Sequence, residues 1–554
     1  MTDFAAGPAQ FTDVAVTVVG ARVVGLSASA ALLARGAKVT LIDRYADEAT
    51  TARAAQAEAQ GAVLRLGDDE TLPPGTELLV VTPGLPPSAP IVAAAHAAGI
   101  PIWGDAELAW RLRAPLPDGG YAPWLVVTGT NGKSTTVRMA EAMLREAGKN
   151  VAACGNIGYP VLDAVLKGQP GAGGEAGEPF EVLVIELSSY QLHWSSTISA
   201  LAAVVLNLAP DHLDWHGSYA AYTTAKGRAY ENCQVAAVYN AADLETVRLV
   251  EEAEVVEGCR AIGFTLGAPG LSMLGVVDGI LADRAFVADR RTSAAELGTV
   301  YDVEPQAPHN VANALAAAAL VRAYGVEPGA VRDGLRAFRP EPHRIAWVAT
   351  LDGVDYIDDS KATNPHAASA SIGAYDHVVW LAGGLAKGAD FDDLVERHAK
   401  RLRGAVLFGA ERHLVAEALR RRAPEVPVVD LGGPGPERAA EVVAEAVAAA
   451  RGMAVSGDTV LLAPACASMD MFTSYGERGD VFAAAVRELK AKLAVAGAVA
   501  EEDGAGAGSG TDAEAEAEAR SEAEARSEAE AEARSEAEAD AEVDAEGESG
   551  PAED

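Results

Sequence analysis

The sequence predicts an α/β protein with three domains and a disordered acidic tail. Three observations predict this fold class. Short apolar, β-branched runs alternate with Ala-rich segments of helical periodicity along most of the chain. Polar clusters directly follow several of these runs, where a parallel sheet gathers its binding residues. The length of 554 residues also suffices for about three full-sized hydrophobic cores.

The composition indicates a soluble globular protein. Hydrophobic residues make up 49% and charged residues 22% of the chain. No apolar run reaches the roughly 18–20 residues that span a bilayer, and residues 1–14 lack the basic region of a signal peptide. The four cysteines lack metal-type spacing, which favours a reducing compartment. We therefore expect a cytoplasmic protein that does not insert into a membrane.

The negative charge is concentrated near the C-terminus. The formal net charge is −36, and residues 501–554 hold 21 acidic residues and three arginines. This Ala/Glu-rich, low-complexity segment has too few large apolar residues to form a core. We expect 496–554 to be a disordered tail without a catalytic role. The rest of the chain shows no basic patch, which argues against a nucleic-acid partner.

The first domain, predicted to span 1–119, begins as a Rossmann-like βαβ unit. Val14–Val19 and Lys38–Ile42 read as strands, and the second closes on Asp43. Arg22 replaces the middle glycine of the dinucleotide fingerprint, so a pyrophosphate could not approach closely there. NAD or FAD stays open as an alternative, but the pattern favours another ligand. A further strand, Leu78–Val81, ends in a rigid Pro/Gly loop at a sheet edge where ligands gather.

A phosphate cradle opens the second domain, predicted to span 120–340. The apolar run Trp124–Val127 predicts a buried strand, and Thr136–Ala147 predicts a helix. Between them lies the loop Gly129-Thr130-Asn131-Gly132-Lys133-Ser134-Thr135. Glycines let backbone amides close around phosphate, Lys133 can reach the terminal phosphates, and Ser134 or Thr135 can offer a hydroxyl to Mg²⁺. The spacing is shorter than the common phosphate loop, so a plain turn with a surface lysine is the alternative.

Three further clusters in this domain are candidates for function. Glu186 ends a predicted strand, a common position for a Mg²⁺ ligand. Two aspartates and two histidines follow another strand in Asp211–His216, and we favour a functional role for His212 over a structural one. Asn310 and Asn313 share one helix face, although ordinary N-capping explains them equally well. The local spacing around Lys226 predicts a solvent-exposed lysine on a helix.

The third domain, predicted to span 341–495, again alternates strands and helices. It follows a linker at Arg339–Arg344. Polar clusters follow three of its predicted strands, in Asp358–Pro365, Gly383–Phe391 and Pro464–Phe472. Each lies where a parallel sheet places its site. Three such clusters together predict a second binding region.

These motifs make the chain similar to the Mur ligase family, the ATP-dependent amide ligases of peptidoglycan precursor synthesis. The resemblance runs from about residue 14 to 490 and rests on the phosphate loop, on Asp211–Asp214 and on His309–Asn313. Within the family, Asp359–Asn364 and Pro464–Ser468 resemble the members that add D-glutamate. The family's glycine before the His-Asn pair is Ala307 here. The tail is not part of the family pattern.

The resemblance implies a role for each candidate residue. It implies ATP, Mg²⁺, D-glutamate and UDP-N-acetylmuramoyl-L-alanine as ligands of a monomer that works through an acyl phosphate. The ATP site would comprise Gly129, Thr130, Asn131, Gly132, Lys133, Ser134, Thr135, Asn310, Asn313, Arg344 and Asp359. Metal ligands would be Ser134, Thr135, Glu186, His212 and Lys226, the last as an N-carboxylated lysine. The UDP substrate would meet Asp43, Arg44, Gly84 and Asn156. D-glutamate would meet Lys361, Thr363, Lys387, Ser468 and Tyr475.

Two other function classes stay open at this point. One is a nicotinamide-dependent oxidoreductase that uses the first βαβ unit. The other is a nucleotide-binding switch that binds a triphosphate without ligase chemistry. Phosphate release on adding an amino acid separates the ligase from both.

Overall fold

A computed structural model describes residues 11–504 apart from 170, 172 and 434, with the side chains of 494–504 left undescribed. The chain divides into two units after Val486. The first unit holds three sheets, which confirms the predicted α/β class with parallel-rich sheets. In the second unit, the described residues belong to a helix in which Lys492 pairs with Glu488 at 2.8 Å.

The first sheet has five parallel strands in the order β3-β2-β1-β4-β5. Its strands are β1 (Ala15–Val19), β2 (Lys38–Asp43), β3 (Val63–Leu66), β4 (Leu78–Val81) and β5 (Ile102–Gly104). Its helices are α1 (Val23–Leu33), α2 (Glu48–Ala59), α3 (Pro90–Ala97) and α4 (Asp105–Leu112). The order reverses at β1, so ligand-binding loops are expected at the carboxyl ends of β1 and its neighbours.

The second sheet has nine strands in the order β14-β13-β12-β11-β10-β9-β6-β8-β7. Its strands are β6 (Trp124–Thr128), β7 (Val151–Gly155), β8 (Val182–Glu186), β9 (Ala202–Val205), β10 (Ala236–Asn240), β11 (Arg260–Phe264), β12 (Met273–Val277), β13 (Ile280–Asp283) and β14 (Ala295–Thr299). Its helices are α5 (Lys133–Glu146), α6 (Val161–Leu166), α7 (Ser189–His193), α8 (Leu213–His216), α9 (Tyr219–Gly227), α10 (Leu244–Glu251), α11 (Pro308–Tyr324) and α12 (Pro328–Ala337).

Strand β6, which leads into the phosphate loop, is central in this sheet. It pairs in parallel with β8 on one side and β9 on the other, and all five of its residues are buried. Helix α5 packs on β7 and β8, beside helix α11 on the same sheet, and also contacts α12. The loop therefore stands on a rigid base, which a phosphate-binding turn needs.

An antiparallel extension at one edge of the second sheet departs from the sequence analysis. Strands β12, β13 and β14 pair antiparallel beyond the parallel part. Their sequences lack the long β-branched runs that identify the core strands, and strands of this length give weak signals. The sequence analysis therefore predicts the core of this sheet but not its edge.

The third sheet has six strands in the order β15-β16-β20-β17-β18-β19. Its strands are β15 (Ala346–Leu351), β16 (Val354–Asp358), β17 (Val378–Ala382), β18 (Leu402–Leu407), β19 (Val428–Asp430) and β20 (Thr459–Leu462). Its helices are α13 (Pro365–Ile372), α14 (Asp392–His398), α15 (Arg412–Arg422), α16 (Ala439–Met453) and α17 (Tyr475–Gly504). All pairs are parallel except β15 with β16.

Two predictions about the end of the chain have different outcomes. Helix α17 extends to Gly504, so residues 496–504, which we assign to the tail from sequence, are helical instead. Alanine and glutamate have high helix propensity, which accounts for this extension. The predicted disorder of 505–554 lies outside the described residues. Within the described part of the chain, none of the helices has the length and apolar character needed to span a bilayer.

Candidate active site

The phosphate loop joins β6 to α5 through two glycines in the left-handed region. Gly129 has φ 145° and Gly132 has φ 85°. A Cβ atom on Gly132 would lie 2.3 Å from the Asn313 side-chain oxygen, so a larger residue is excluded by space as well as by backbone angle. The backbone amides at the start of α5 face the loop, and a helix of 14 residues adds partial positive charge there. This geometry confirms the predicted strand, turn and helix.

Lys133 folds back over its own loop. Its Nζ donates to the carbonyl oxygens of Gly129 at 3.0 Å and Thr130 at 2.9 Å. Burial lowers the pKa of Lys133, while the charges of Glu186 and Asp211 act in the opposite direction. A terminal phosphate would offer this ammonium a charged acceptor in place of two neutral carbonyls. These two contacts to its own loop and its partial burial argue against the surface-lysine alternative.

Glu186 joins the loop to the neighbouring strand. This buried carboxylate accepts from the Ser134 hydroxyl at 2.7 Å through one oxygen and from the Asn156 amide at 2.8 Å through the other. The sequence places Glu186 at the end of β8, directly beside β6, as its spacing predicts. A carboxylate and a hydroxyl that already share a hydrogen bond lie close enough to share one cation.

Lys226 is buried, with only 2% of its surface exposed. The solvated reading of this residue is wrong, because α9 turns this position inward toward the sheet. Its Nζ lies 3.3 Å from the Thr128 hydroxyl and 5.0 Å from the centre of the Tyr222 ring. Burial and the charge of Lys133 hold the pKa of Lys226 well below its ordinary value. Both effects favour the neutral amine over the ammonium.

His212 begins the short helix α8 with φ 53°, a backbone angle that is uncommon for a non-glycine residue. Its Nδ1 lies 2.7 Å from the Tyr190 hydroxyl, and its Nε2 lies 3.6 Å from an Asp211 oxygen. Burial lowers the pKa of His212, and the charges of Lys226, Lys133 and Lys387 add to that effect. The charge of Asp211 opposes these effects, but their sum favours the neutral ring, which is the form that binds metals.

Asn310 and Asn313 form a buried amide pair beside the loop. The Asn313 amide donates to the Asn310 side-chain oxygen at 3.3 Å, and the Asn310 amide donates to the Pro305 carbonyl at 3.2 Å. The N-cap of α11 is Ala307, so the N-capping explanation of Asn310 is wrong. The backbone of Ala307 is extended and ordinary, so the alanine at this position does not distort the turn.

The linker to the third sheet carries an ion-pair chain over the loop. Arg344 pairs with Glu341 at 3.1 Å, and Glu341 also lies 3.4 Å from Arg138 on α5. A cleft opens between these groups and the start of α11; its lining includes Thr135, Asn310, Phe338 and Arg344. These contacts bring Arg344 from the third domain to the edge of the phosphate loop.

Asp359 lies just beyond the end of β16 and is buried. Burial raises the pKa of Asp359 to about 6, against the opposing effects of a hydrogen bond from Ser371 and the charge of Arg344. The carboxyl therefore faces the same arginine that reaches the loop.

The third-sheet candidates cluster around a buried arginine. Lys361 lies with its Nζ 3.9 Å from the centre of the Tyr475 ring, which is a cation–π contact. Ser360 donates to the Tyr475 carbonyl at 2.7 Å and accepts from Arg478 at 2.9 Å. Arg478 also donates to the Cys466 carbonyl at 3.2 Å, which ties the two loops together.

The other predicted residues of this region lie on the same loops. The Thr363 amide donates to the Lys361 carbonyl at 2.8 Å, Ser468 is buried in the loop after β20, and Lys387 is exposed in the loop after β17. Lys387 has φ 52°, so its backbone conformation is also uncommon. Both loops follow neighbouring strands, since β17 pairs with β20.

Asn131 at the tip of the phosphate loop contacts the third domain directly. Its amide nitrogen lies 2.9 Å from His366 Nδ1, and its oxygen accepts from Asn364 at 3.3 Å. Asn364 caps helix α13, so the contact joins two helix starts. The tip of the phosphate loop therefore contacts the third domain at the start of α13.

The first-sheet candidates form a separate group. Asp43 accepts from the Ala21 amide at 2.7 Å and from the Tyr45 amide at 2.9 Å, so its carboxylate closes the turn after β1. Arg44 is exposed and lies 3.9 Å from Asp69. The loop after β4 exposes Gly84, with open space where a side chain would be. The structure does not bring these three residues into hydrogen-bond contact with the phosphate loop.

The residues around the loop suit a magnesium–nucleotide complex. Among the described residues, no three His, Cys, Asp or Glu side chains group closely enough to hold a metal by themselves. Mg²⁺ in nucleotide sites takes one or two protein oxygens and completes its shell with phosphates and water. The Ser134 hydroxyl and Glu186 carboxylate supply such a pair, so this donor set fits the ion.

Sequence reasoning missed several residues that support the site. Tyr190 orients His212, Tyr222 lies 2.8 Å from the Thr130 hydroxyl, and Arg478 holds the third-sheet loops. Local spacing carries no signal for them, because each acts on a residue distant in sequence. His366 is likewise 235 positions away from Asn131.

The fold and this site define a phosphate-loop α/β protein whose cleft is shared with a second α/β domain. Two family descriptions match the chain, the Mur ligase middle domain over residues 127–321 and the Mur ligase glutamate ligase domain over residues 343–466. The chain belongs to the Mur ligase family. It is an ATP-dependent ligase that forms an amide bond.

Two curated relatives share most of the chain. The UDP-N-acetylmuramoylalanine–D-glutamate ligase of Streptomyces avermitilis is 61% identical over 476 residues, which is 86% of this chain and 98% of the relative. The protein of the same name from Thermobifida fusca is 54% identical over 474 residues, covering 86% of this chain and 98% of the relative. A solved UDP-N-acetylmuramate–alanine ligase from Thermotoga maritima is 16% identical with a TM-score of 0.48 and covers 86% and 99% of the two chains.

Proposed function

We propose that this ligase adds D-glutamate to UDP-N-acetylmuramoyl-L-alanine with conversion of ATP to ADP and phosphate. The observation that carries the proposal is the shared cleft. Lys133 and His212 from the second sheet lie within electrostatic range of Lys361 and Lys387 from the third. A triphosphate at the loop and a dicarboxylic amino acid at the third sheet would meet there. The names of the curated relatives support this substrate choice.

The chemistry begins at a carboxylate, which is a poor electrophile. Transfer of the terminal phosphoryl group of ATP converts the L-alanine carboxylate to an acyl phosphate. The amine of D-glutamate then attacks the carbonyl carbon, and the tetrahedral intermediate expels phosphate. No protein nucleophile is needed, so the chain contributes through positioning and charge.

Lys133 and the loop amides hold the phosphates. Lys133 neutralises charge that develops on the transferring group, and Ser134, Thr135 and Glu186 would hold Mg²⁺. When bound, this ion supplies further positive charge at the same oxygens. Gly129 and Gly132 let the amides approach, with Thr130 and Asn131 fixing the loop between them.

The parts of ATP that lie outside the phosphate loop would contact helix α11, the linker and the third domain. Asn310 and Asn313 lie beside the loop as a buried amide pair, and Arg344 reaches it from the linker. The Asp359 carboxyl lies close enough to Arg344 for the charge of the arginine to act on its pKa. These four residues are our proposed nucleotide contacts outside the loop.

Lys226 is proposed to act as its carbamate. A neutral amine attacks carbon dioxide and releases a proton, and the product carries an oxygen anion in place of an ammonium. The lowered pKa of Lys226 supplies that neutral amine. With His212 as a nitrogen donor, this side chain would serve a second Mg²⁺.

The two organic substrates would occupy the flanking domains. Lys361, Thr363, Lys387, Ser468 and the backbone at Tyr475 would bind the carboxylates of D-glutamate, since cations and hydroxyls pair with carboxylates. The uridine end would lie at the first sheet near the residues Asp43, Arg44 and Gly84. Asn156 would contact the muramoyl group next to Glu186.

We propose domain limits at 1–119, 120–340 and 341–495, because each sheet lies inside one range. We also propose that the protein works as a monomer in the cytoplasm. Sedimentation analysis tests the oligomeric state.

Phosphate release tests the function. Purified protein is given ATP, Mg²⁺ and UDP-N-acetylmuramoyl-L-alanine, and amino acids are added one at a time. We expect release with D-glutamate and none with L-glutamate, L-lysine or meso-diaminopimelate. Release with another amino acid and none with D-glutamate would contradict the substrate choice, and no release with any would contradict the ligase reaction on this acceptor.

Removal of the Lys226 amine tests the carbamate. We expect Lys226→Ala to lose at least about a hundredfold in turnover, as removal of one charge-stabilising group does, and added acetate or formate to restore part of it. Lys226→Arg is the matched control, because its guanidinium cannot form the carbamate and leaves no space for the added acid. Unchanged turnover in Lys226→Ala, or equal rescue of both variants, would contradict this role.

A further inference from the structure

Two cysteines lie side by side at the amino ends of neighbouring strands in the second sheet. Cys233 precedes β10, and Cys259 directly precedes β11. The two strands pair in parallel with Ala236 opposite Arg260. The phosphate loop follows the carboxyl end of β6, which runs parallel to them through β9. The cysteines are therefore at the opposite edge of the sheet from the active site.

Backbone hydrogen bonds hold the two cysteines together. The Val256 amide donates to the Cys233 carbonyl at 3.0 Å, and the Cys259 amide donates to the Val256 carbonyl at 3.0 Å. The Asn232 amide donates to Glu254 at 2.9 Å, which adds a second tie between the same segments. One residue, Val256, thus bridges the main chains of both cysteines. The backbone therefore keeps the two cysteines near each other whichever rotamers their side chains adopt.

The two thiols also interact with each other and differ in access to solvent. The Cys233 thiol donates to the Ala236 carbonyl at 3.2 Å, and the nearness of the two thiols raises the pKa of Cys233 and lowers that of Cys259. Backbone amides and the charge of Arg260 further favour the Cys259 thiolate. Cys233 is buried, whereas Cys259 is partly exposed. A partly exposed thiolate beside a buried thiol is the arrangement of an attacking and a resolving cysteine.

We propose that Cys259 and Cys233 form a reversible disulfide when the protein meets a hydroperoxide. The Cys259 thiolate attacks the peroxide O–O bond, which breaks; one oxygen stays on sulfur as sulfenic acid and the other leaves as water or alcohol after taking a proton. The Cys233 sulfur then attacks the sulfenic sulfur, the S–O bond breaks, and the hydroxide leaves as water with the Cys233 proton. Two thiols are oxidised and one peroxide is reduced.

The other two cysteines provide internal controls. Cys154 on β7 and Cys466 after β20 are both buried. Burial raises the pKa of each, to about 12 for Cys466. Neither thiol is prepared for attack on a peroxide, because the thiolate is the reactive form. Thiol oxidation in the folded protein should therefore be confined to the Cys233–Cys259 pair.

Peptide mapping of the full-length protein tests the proposal. Folded protein is treated with hydrogen peroxide, alkylated without reduction and digested, and the same is done after dithiothreitol. We expect a cross-linked peptide holding Cys233 and Cys259, lighter by two hydrogen atoms than the sum of its parts, that disappears on reduction. Free alkylated Cys233 and Cys259 after peroxide, or Cys259 as sulfinic acid with Cys233 free, would overturn the proposal.

Single variants separate the two roles. In Cys233→Ser we expect Cys259 sulfenic acid that dimedone traps, whereas Cys259→Ser should leave Cys233 unoxidised. Cys466→Ser should form the disulfide as the wild type does. Dimedone labelling of Cys233 in Cys259→Ser would overturn the assignment of Cys259 as the attacking thiol. If a variant does not fold, the wild-type map decides the proposal.

Discussion

Two strand-turn-helix units of this chain, β1–α1 and β6–α5, have the same topology but differ in the groups that their turns hold. After β1, the Ala21 amide already donates to the Asp43 carboxylate, so this turn is closed by the protein's own anion. After β6, two glycines open the turn, and Lys133 bonds only to neutral loop carbonyls. The comparison shows that the fold does not decide what a turn binds. What differs is the charge of the internal acceptor, because at the second turn the Thr130 and Asn131 amides donate to neutral oxygens of Asn207, both at 2.9 Å.

The electrostatics of the two units differ in the same way. Around the second turn, burial and the crowding of basic groups lower the pKa of Lys133, Lys226 and His212. A bound triphosphate would offset that crowding, because its negative charge stabilises the protonated form of Lys133. At the first turn, Asp43 already has two backbone donors and no such crowding arises. We therefore expect the second turn, and not the first, to bind an anionic ligand.

Lys133→Ala should produce the largest effect and test the open turn. We expect turnover to fall by at least about a hundredfold, because the transferring phosphoryl group loses its nearest cation. Phosphate release and nucleotide binding by calorimetry measure the change. Lys149→Ala is the matched control, since Lys149 lies just beyond the end of the same helix and pairs with Glu181 at the surface. A variant at Lys133 that turns over like the control would contradict the role of this lysine.

Tyr190→Phe should have an intermediate effect. For Nε2 of His212 to bind a metal, Nδ1 must carry the proton and donate it to Tyr190, 2.7 Å away. Loss of that partner should weaken Mn²⁺ affinity by about tenfold, as loss of outer-shell partners does. Electron paramagnetic resonance of Mn²⁺ with ADP present measures this directly.

Tyr219→Phe is the control for that experiment. Tyr219 stacks on Tyr222 in the same aromatic group, with ring centres 6.2 Å apart. The Tyr219→Phe variant should bind Mn²⁺ with the same affinity as the wild type. Equal metal affinity in Tyr190→Phe and Tyr219→Phe would remove Tyr190 from the site.

Asp43→Asn should have the smallest effect and test the closed turn. Each oxygen of Asp43 accepts from one backbone amide, at Ala21 or at Tyr45. In asparagine an NH₂ group replaces one of these oxygens, so one backbone amide loses its acceptor. We expect a loss of about 1 kcal/mol in the free energy of unfolding and weaker UDP binding. Urea unfolding and UDP titration measure both, with Asp69→Asn at the exposed Arg44 pair as control. NAD binding by the wild type that is lost in Asp43→Asn would instead support the dinucleotide alternative.

The sequence was sufficient for features that depend on near neighbours. The phosphate loop is defined by glycines and a lysine within one turn, and Glu186 is identified by its position at the end of a buried run. Lys226 is different, because its burial results from how α9 packs against the sheet. Local spacing gives no sign of that packing, so only the family resemblance pointed to it.

Contacts between distant segments were out of reach for the same reason. Asn131 meets His366, and Ser360 meets Arg478 118 positions later, through the assembly of two sheets. Neither pair leaves a periodic pattern in the chain. The antiparallel edge strands β12 to β14 were missed because their short runs resemble loops. Sequence therefore predicted the parts of the site, whereas the fold showed how they meet.

The fate of a carboxylate oxygen tests the account most directly. UDP-N-acetylmuramoyl-L-alanine labelled with heavy oxygen in its alanine carboxylate is turned over with ATP and D-glutamate, and the released phosphate is analysed by mass spectrometry. We predict that each phosphate carries one labelled oxygen, because the acyl phosphate leaves with an oxygen from the acid. Phosphate without label would contradict a triphosphate that activates this carboxylate at Lys133.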